Sequence, residues 1–285
     1  MMSQQMIHPE KWRETCDPFL LPYRRFRLTE ILGYPHARND VFHAKGICDG
    51  QELLVYIKAA RPGNWAVAND VAILSQLNAP CFPKVIDSGD EPTPFSVTAA
   101  LPGLRLSTIV GANEDMASLS YMEEYGAALA KLHALSPAAP PQADRKFYHR
   151  PPDEMLKALR RSHLSGYFAH APASDQTVFC HGDFHYANVL WEDHHISAIL
   201  DFELSGYGSR DFDIAWAMFL RPGQHFLKTP EEQLAFLRGY RRWGEYNADA
   251  VRYYMAQCYV YFLNFCDDDP EYGAYIRTWL AENCT

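Results

Sequence analysis

The chain has 285 residues and a formal net charge of −9, and its composition, 48% hydrophobic and 21% charged, is typical of a folded globular protein. We find no apolar run long enough to span a membrane and no secretory signal at the N-terminus. The net negative charge disfavours binding to nucleic acid or to an anionic membrane. The 7 cysteines include no CxxC pair, so we predict reduced cysteines in a cytoplasmic protein, with neither a zinc site nor a disulfide framework.

The first hundred residues predict mainly short β-strands. Strands are predicted at residues 40–45, 53–58, 84–87 and 95–99. The turn signal Cys48-Asp49-Gly50 predicts that the first two pair as a hairpin. Residues 69–77 carry apolar side chains at helical spacing, and Pro80 and Pro83 end that helix.

After Leu101-Pro102-Gly103 the pattern becomes helical. Helices are predicted at residues 120–134, 155–164, 211–220, 229–243, 248–266 and 270–283. Ser120 and Glu123 predict a capping box at the start of the first of these helices. Thr229 and Glu232 predict an N-cap and a capping glutamate at another.

The order of these elements predicts an α+β fold with two lobes. Residues 1–101 form a small β-rich lobe, and residues 102–285 form a larger helical lobe. Residues 177–204 are the exception in the second lobe, because they predict strands and turns. A cleft near residue 101 would hold a ligand.

The densest polar cluster of the chain lies within residues 179–202. Asp183 precedes Asn188 in a D-x4-N spacing, and a predicted hairpin of residues 189–191 and 196–200 returns Asp201 close to Asn188. Phosphoryl transfer needs this combination. One carboxylate accepts the proton of the attacking hydroxyl, while a second carboxylate and an amide bind Mg²⁺, which prefers oxygen ligands.

This segment resembles the aminoglycoside phosphotransferase and choline-kinase superfamily of protein-kinase-like small-molecule kinases. An HGD-x4-N motif occupies residues 181–188, the metal motif is Leu200-Asp201-Phe202-Glu203, and a G-x4-D-I-A motif occupies residues 208–215. The resemblance covers most of the chain from about Leu28 onward. It implies a bilobal protein-kinase-like fold, ATP or GTP as donor, Mg²⁺ as cofactor, and a small-molecule hydroxyl as acceptor.

The resemblance also implies roles for residues of the catalytic loop and its supports. Asp183 would be the catalytic base that orients the acceptor hydroxyl. Asn188 and Asp201 would be the Mg²⁺ ligands. His181 and Asp213 would support the backbone of the loop.

The nucleotide would lie against the N-terminal lobe. Lys58, at the end of an apolar strand, matches the lysine that binds the α- and β-phosphates. Its acidic partner is Asp70, where the family usually has Glu, and the shorter side chain predicts a pair that forms only on lobe closure or indirectly. The other nucleotide-binding candidates are Thr98, Ala100 and Leu101 in the hinge, and Gly33 and Asn39 in the turn over residues 33–41, which has no GxGxxG pattern.

The candidates for binding the acceptor are acidic. Residues 245–285 hold seven acidic and two basic side chains, which is −5 of the total net charge of −9. The candidate residues are Glu203, Asp267, Asp268, Asp269 and Glu271. Two interpretations of the aspartate run stay open: a solvated cap for the helix that begins at Pro270, or recognition of a cationic substrate.

Other functions are weighed against this one. Within the kinase class, the acceptor is an aminoglycoside-like molecule or an amino-alcohol or sugar-like metabolite of the choline, homoserine or fructosamine type. An inactive nucleotide-binding module is the alternative of another class. A metallohydrolase built on His181 and His185 is disfavoured, because they lie in a turn without a third ligand. Asp211 is expected to have a surface or cap role.

Overall fold

The computed structural model describes residues 16–35, 39–62, 64, 66–172, 176–263, 266 and 269–284 of the chain. The strands are β1 (Phe26–Gly33), β2 (Asp40–Cys48), β3 (Gln51–Ala59), β4 (Val85–Gly89), β5 (Phe95–Ala99), β6 (Leu104–Arg105), β7 (Thr177–Cys180), β8 (Val189–Glu192), β9 (His195–Ile199) and β10 (Gly206–Ser209). The α-helices are α1 (Ala66–Leu74), α2 (Leu106–Val110), α3 (Leu119–His133), α4 (Asp153–Ala158), α5 (Ser165–Phe168), α6 (Arg210–Met218), α7 (Pro230–Arg241), α8 (Ala248–Phe262) and α9 (Pro270–Asn283).

An antiparallel sheet with strand order β1-β2-β3-β5-β4 forms the N-terminal lobe. The predicted β2–β3 hairpin is confirmed, and its turn residues Asp49 and Gly50 have φ of 50° and 80°, as a tight hairpin turn requires. Phe42 of β2 and Ile57 of β3 are fully buried in the core below the sheet. Strand β1 was not predicted, because two register shifts interrupt its alternation of buried and exposed residues.

Helices α3 and α7 pack closely in the larger lobe because each has a glycine at the contact. A Cβ on Gly126 would lie 1.9 Å from the carbonyl oxygen of Phe236, and one on Gly239 would lie 1.9 Å from that of Glu123. The core around them is rich in aromatic side chains. Ile73 and Leu74 of α1 join this larger core, and the lobe boundary at residue 101 stays a prediction.

The predicted capping box of Ser120 and Glu123 is wrong. Helix α3 begins at Leu119 after Ser118, whose hydroxyl instead donates to the carboxylate of Glu232 at 2.6 Å. Glu123 turns outward and pairs with Arg238 at 3.2 Å. Ser120 lies inside the helix with its hydroxyl donating to the Ala117 carbonyl at 2.9 Å, and Glu123 has a tertiary partner, so neither side chain forms the predicted cap.

The capping box of Thr229 is confirmed. The Thr229 hydroxyl accepts from the Glu232 amide at 3.2 Å, and the Glu232 carboxylate accepts from the Thr229 amide at 3.1 Å. Pro230 occupies the first turn of α7, as predicted. The predicted start of α7 is therefore confirmed, because the side chains of Thr229 and Glu232 each accept the other's backbone amide.

Three further expectations about helices need correction. The continuous helix over residues 155–164 is wrong, because Arg160 has a positive φ of 56° that separates α4 from a short turn and α5. The helix expected over residues 69–77 is displaced to Ala66–Leu74. Asp211 is not at the surface: it is fully buried, pairs with Arg210 at 3.0 Å and accepts the amide of Asn247 at 3.1 Å.

Within the described part of the chain, none of the helices combines the length and the apolar character that crossing a membrane requires.

Candidate active site

The loop that carries Asp183 begins at a sharp turn after β7. Gly182 has φ of +79°, and a Cβ there would lie 2.2 Å from the carbonyl oxygen of Leu204, so only glycine fits. From α6, the Asp213 carboxylate accepts the amide of His181 at 2.9 Å and the amide of Gly182 at 3.0 Å. The first turn of α6 thereby holds the loop backbone in place.

Asp213 is itself held by two other helices. His133 of α3 approaches Asp213 with Nε2 at 3.1 Å, and its Nδ1 lies 2.7 Å from the Tyr240 hydroxyl of α7. A carboxylate can only accept, so His133 donates from Nε2 and accepts the Tyr240 proton at Nδ1. All three side chains are buried. This network was not predicted, because His133 lies 80 positions from Asp213 and 107 positions from Tyr240.

The two carboxylate oxygens of Asp183 have different neighbours. Oδ1 accepts the indole N–H of Trp216 at 2.8 Å, whereas Oδ2 faces Nε2 of His185 at 3.5 Å. Burial would raise the pKa of Asp183, but His185, Arg221 and the Trp216 N–H outweigh it and hold that pKa well below its ordinary value. Asp183 is therefore ionised at neutral pH, as a proton acceptor must be.

The proton of His185 sits on a defined ring nitrogen. Its Nδ1 accepts the amide of Ala187 at 3.2 Å, and burial together with the charge of Arg221 lowers the pKa of the ring. The neutral ring therefore carries its proton on Nε2, toward Asp183.

The hairpin of β8 and β9 brings Asn188 and the turn after Leu200 together, in the manner that the sequence predicted. The Leu200 amide donates to the Asn188 carbonyl at 2.8 Å, and His181 Nε2 lies 3.0 Å from the Leu200 carbonyl oxygen. The Asn188 amide nitrogen donates to the Asp183 carbonyl at 3.0 Å, which leaves its Oδ1 as a ligand atom. Asp201 follows in a left-handed conformation with φ of 68°, and 41% of its side chain is exposed. One amide oxygen and one accessible carboxylate fit the hard-oxygen preference of Mg²⁺.

Lys58 lies within an acidic cluster between the sheet and this turn. Its Nζ is 3.1 Å from Asp70, 2.8 Å from Asp201 and 2.9 Å from Glu203. Burial would lower the pKa of Lys58, but the three carboxylates outweigh it and raise that pKa well above its ordinary value. Burial and the negative charges of Asp201 and Asp70 raise the pKa of Glu203. Lys58 acts to lower that pKa, but its effect is the smaller one. Asp70 contacts Lys58 directly, so the expectation of an indirect pair is wrong.

Helix α1 is anchored to the turn after Asp201, which explains how Asp70 reaches Lys58. The second Asp70 oxygen accepts the Phe202 amide at 2.8 Å. The Asn69 amide donates to the carbonyls of Glu203 at 3.0 Å and Ser205 at 2.9 Å. Asn69 was not predicted, because its partners lie more than 130 positions away.

The other nucleotide-binding candidates lie in or next to the sheet of the N-terminal lobe. Thr98 lies inside β5 between β3 and β4, and the Ala100 amide donates to the Leu54 carbonyl at 2.9 Å, so this amide is engaged in the sheet. Leu101 follows directly and is half-buried. Gly33 ends β1 opposite His43. In the turn over residues 33–41, residues 36–38 lie outside the described part of the chain, whereas Asn39 is buried and donates to Glu203.

The acceptor candidates are not all brought together. Glu203 lies against Lys58 and Asn39, on the side of the nucleotide candidates. Asp269 caps α9 by accepting the Tyr272 amide at 3.0 Å, and Glu271 is 90% exposed and 3.6 Å from Lys228. Asp267 and Asp268 lie outside the described residues.

A cavity of about 80 Å³ lies between Asp269 and Glu271 on one side and residues 220–228, which follow α6, on the other. Asp269, Glu271, Arg221, Gln224 and Tyr272 are among its lining residues. In the same segment, Phe226 contacts the ring of Tyr186 from the catalytic loop, with ring centroids 5.4 Å apart. The segment of residues 220–228 therefore contacts both the cavity and the catalytic loop.

The comparisons with known proteins agree with this arrangement. The sequence model of the phosphotransferase enzyme family matches residues 66–254. No curated protein matches the chain. Among solved structures, aminoglycoside phosphotransferase APH(4)-Ia has a TM-score of 0.59 at 15% identity, over 90% of this chain and 92% of that one.

Two further structures show the same fold with other named activities. Macrolide 2′-phosphotransferase MphH from Brachybacterium faecium has a TM-score of 0.53 at 17% identity, over 91% of this chain and 92% of that one. An ethanolamine kinase from Plasmodium vivax has a TM-score of 0.52 at 14% identity, over 92% of this chain and 82% of that one. At such identities the likeness establishes the protein-kinase-like fold.

Proposed function

The chain belongs to the phosphotransferase enzyme family, and we propose that it transfers the γ-phosphoryl group of ATP to a hydroxyl of a small, cationic molecule. The observation that carries this proposal is the position of the Asp183 carboxylate. One of its oxygens is fixed by Trp216 at 2.8 Å, and it lies on the loop that also holds Asn188. Lys58, which is partly exposed, supplies the cation for the nucleotide phosphates, and GTP is the alternative donor.

The reaction is an in-line displacement at phosphorus. The acceptor oxygen forms a bond to the γ-phosphorus while the bond from that phosphorus to the β,γ-bridging oxygen breaks, and ADP leaves with the electron pair. Asp183 Oδ2 receives the acceptor proton, since Oδ1 is already engaged by Trp216. When Mg²⁺ is bound through Asn188 and Asp201, it supplies neutralising charge to the phosphates.

The proposed metal role makes a prediction for Asp201. Asp201→Asn should raise the Mg²⁺ concentration that gives half of the maximal rate, because a neutral amide is a poorer ligand for a hard cation. It should also lower kcat on the order of a hundredfold. The measurement is the rate as a function of Mg²⁺ concentration at saturating acceptor. Asp144→Asn, at an exposed aspartate, is the control for the charge change. An unaltered Mg²⁺ dependence in Asp201→Asn would contradict the metal role.

The acceptor class is inferred from charge and from the cavity beside α9. The excess of acidic residues after residue 245 includes Asp269 and Glu271, which line that cavity. The related structures are named for an aminoglycoside, a macrolide and ethanolamine, which supports a small-molecule acceptor. We place an aminoglycoside-like acceptor first and an amino-alcohol or sugar-like metabolite second.

Neutralising the two acids tests the cation site. Asp269→Asn with Glu271→Gln should raise the acceptor KM a few-fold, since a partly exposed charge pair is worth up to about 1 kcal/mol. The KM for ATP should stay unchanged, and so should the melting temperature, because asparagine can still accept the Tyr272 amide. Glu282→Gln, near the far end of α9, is the matched control. An unchanged acceptor KM would remove the cation role from these residues and leave the phosphotransferase proposal intact.

The overall proposal is tested by a panel of hydroxylated acceptors in a coupled assay of ADP release. We expect release that depends on Mg²⁺, ATP and one class of amine-bearing acceptor. Nucleotide binding without release for any acceptor would favour the inactive nucleotide-binding module instead. Zn²⁺-dependent hydrolysis without nucleotide would favour the metallohydrolase.

A further inference from the structure

Trp216 is the one side chain outside the catalytic loop that hydrogen-bonds to the Asp183 carboxylate in the described part of the chain. It lies on α6 and donates its indole N–H to Asp183 Oδ1 at 2.8 Å. Trp216 is buried, with 4% of its surface exposed. The same helix holds the loop backbone through Asp213, so one short element positions both the backbone and the carboxylate.

The indole ring is itself held by its surroundings. The guanidinium carbons of Arg145 and Arg221 lie 4.7 Å and 5.1 Å from the ring centroid. Arg221 also donates to the Trp216 carbonyl at 2.7 Å, and Arg145 donates to the Gly182 carbonyl at 2.8 Å. The ring of Phe212 stacks on the indole at a centroid distance of 6.0 Å. The direction of the indole N–H is therefore set before substrate binds.

Such a donor gives the carboxylate a defined orientation. A carboxylate rotates about its bond to Cβ, and either oxygen could otherwise face the acceptor. An indole N–H only donates and cannot take up a proton, so it never competes with Asp183 as a base. With Oδ1 engaged by Trp216 at 2.8 Å, Oδ2, which has the longer contact of 3.5 Å to His185 Nε2, is the atom available to the acceptor hydroxyl.

We propose that Trp216 is a positioning residue that orients the Asp183 carboxylate so that Oδ2 receives the acceptor proton. This inference rests on the proposed function, because it takes Asp183 as the base. It adds a role for α6 that the loop motif does not contain. Arg145 and Arg221 support that role by holding the ring.

The test removes the N–H and keeps an aromatic ring beside the two arginines. Trp216→Phe should lower kcat about tenfold, as expected for loss of a hydrogen bond to a charged group, and leave the KM values for ATP and acceptor within a factor of about two. Trp191→Phe is the matched control, because Trp191 is also buried but packs on Tyr121 in the core. It should lower the melting temperature without changing kcat.

A double-mutant cycle separates positioning from a general loss of structure. If Trp216 acts through Asp183, then Trp216→Phe should have no further effect on the residual rate of Asp183→Asn. A full additional loss in that background, or an unchanged kcat in Trp216→Phe alone, would overturn the inference and leave the proposed function standing. Absence of acceptor phosphorylation by the unaltered protein would overturn both.

Discussion

Replacing Asp183 by asparagine should lower kcat by roughly 10³-fold, within the range that a positioned general base contributes. Asparagine keeps the size of the side chain and can still accept the Trp216 N–H, but it cannot take up the acceptor proton. The dissociation constant of Mg²⁺·ATP should stay nearly unchanged, because Lys58 is bonded to Asp70, Asp201 and Glu203 and not to Asp183. Steady-state kinetics and nucleotide titration together measure both quantities.

The control for this change is Asp193→Asn. Asp193 lies in the exposed turn between β8 and β9 with φ of 47°, a conformation that asparagine also accepts. It removes the same charge from the hairpin that follows the catalytic loop and should leave kcat unaltered. Near-normal turnover in Asp183→Asn would show that the base is assigned wrongly.

Asp213→Ala should destabilise the fold by about 3 kcal/mol or more and abolish turnover. The change leaves the amides of His181 and Gly182 and the Nε2 proton of His133 without an acceptor, and each unsatisfied buried donor costs about 1–3 kcal/mol. Chemical denaturation followed by circular dichroism measures the free energy of unfolding. Asp90→Ala, at an exposed aspartate after β4, should change it by less than about 0.5 kcal/mol.

His133→Ala gives a second measure of the same network. It removes one donor to Asp213 and the acceptor of the Tyr240 hydroxyl but leaves both loop amides bonded. We therefore expect a smaller activity loss than in Asp213→Ala. If Asp213→Ala unfolds with the free energy of the unaltered protein, the carboxylate does not support the loop as the hydrogen bonds indicate.

The parts of the site that the sequence predicts are those set by short spacings. Asp183, Asn188 and Asp201 come together because the D-x4-N spacing is followed by a tight hairpin, and hairpin geometry is local. The β2–β3 hairpin and the cap at Thr229 were predictable for the same reason. In each case a short stretch of chain joins the interacting groups.

The contacts that hold these residues in place could not be predicted in this way. Trp216 and Asp183 are 33 positions apart, and His133 and Asp213 are 80 apart. A tryptophan and a histidine on apolar helix faces look like ordinary core residues in a sequence. Glu123 shows the converse, because its tertiary pair with Arg238 replaced the local cap that the motif at residue 120 predicted.

The most direct test of the proposed reaction follows the phosphoryl group itself. ATP labelled on its γ-phosphate is incubated with Mg²⁺, the protein and the acceptor found in the panel, and the products are separated. The label should appear in a phosphate ester of the acceptor in equal amount to ADP, and Asp183→Asn should abolish that transfer. Label recovered only as inorganic phosphate, or equal transfer by Asp183→Asn, would contradict a phosphotransferase that uses Asp183 to activate the acceptor hydroxyl.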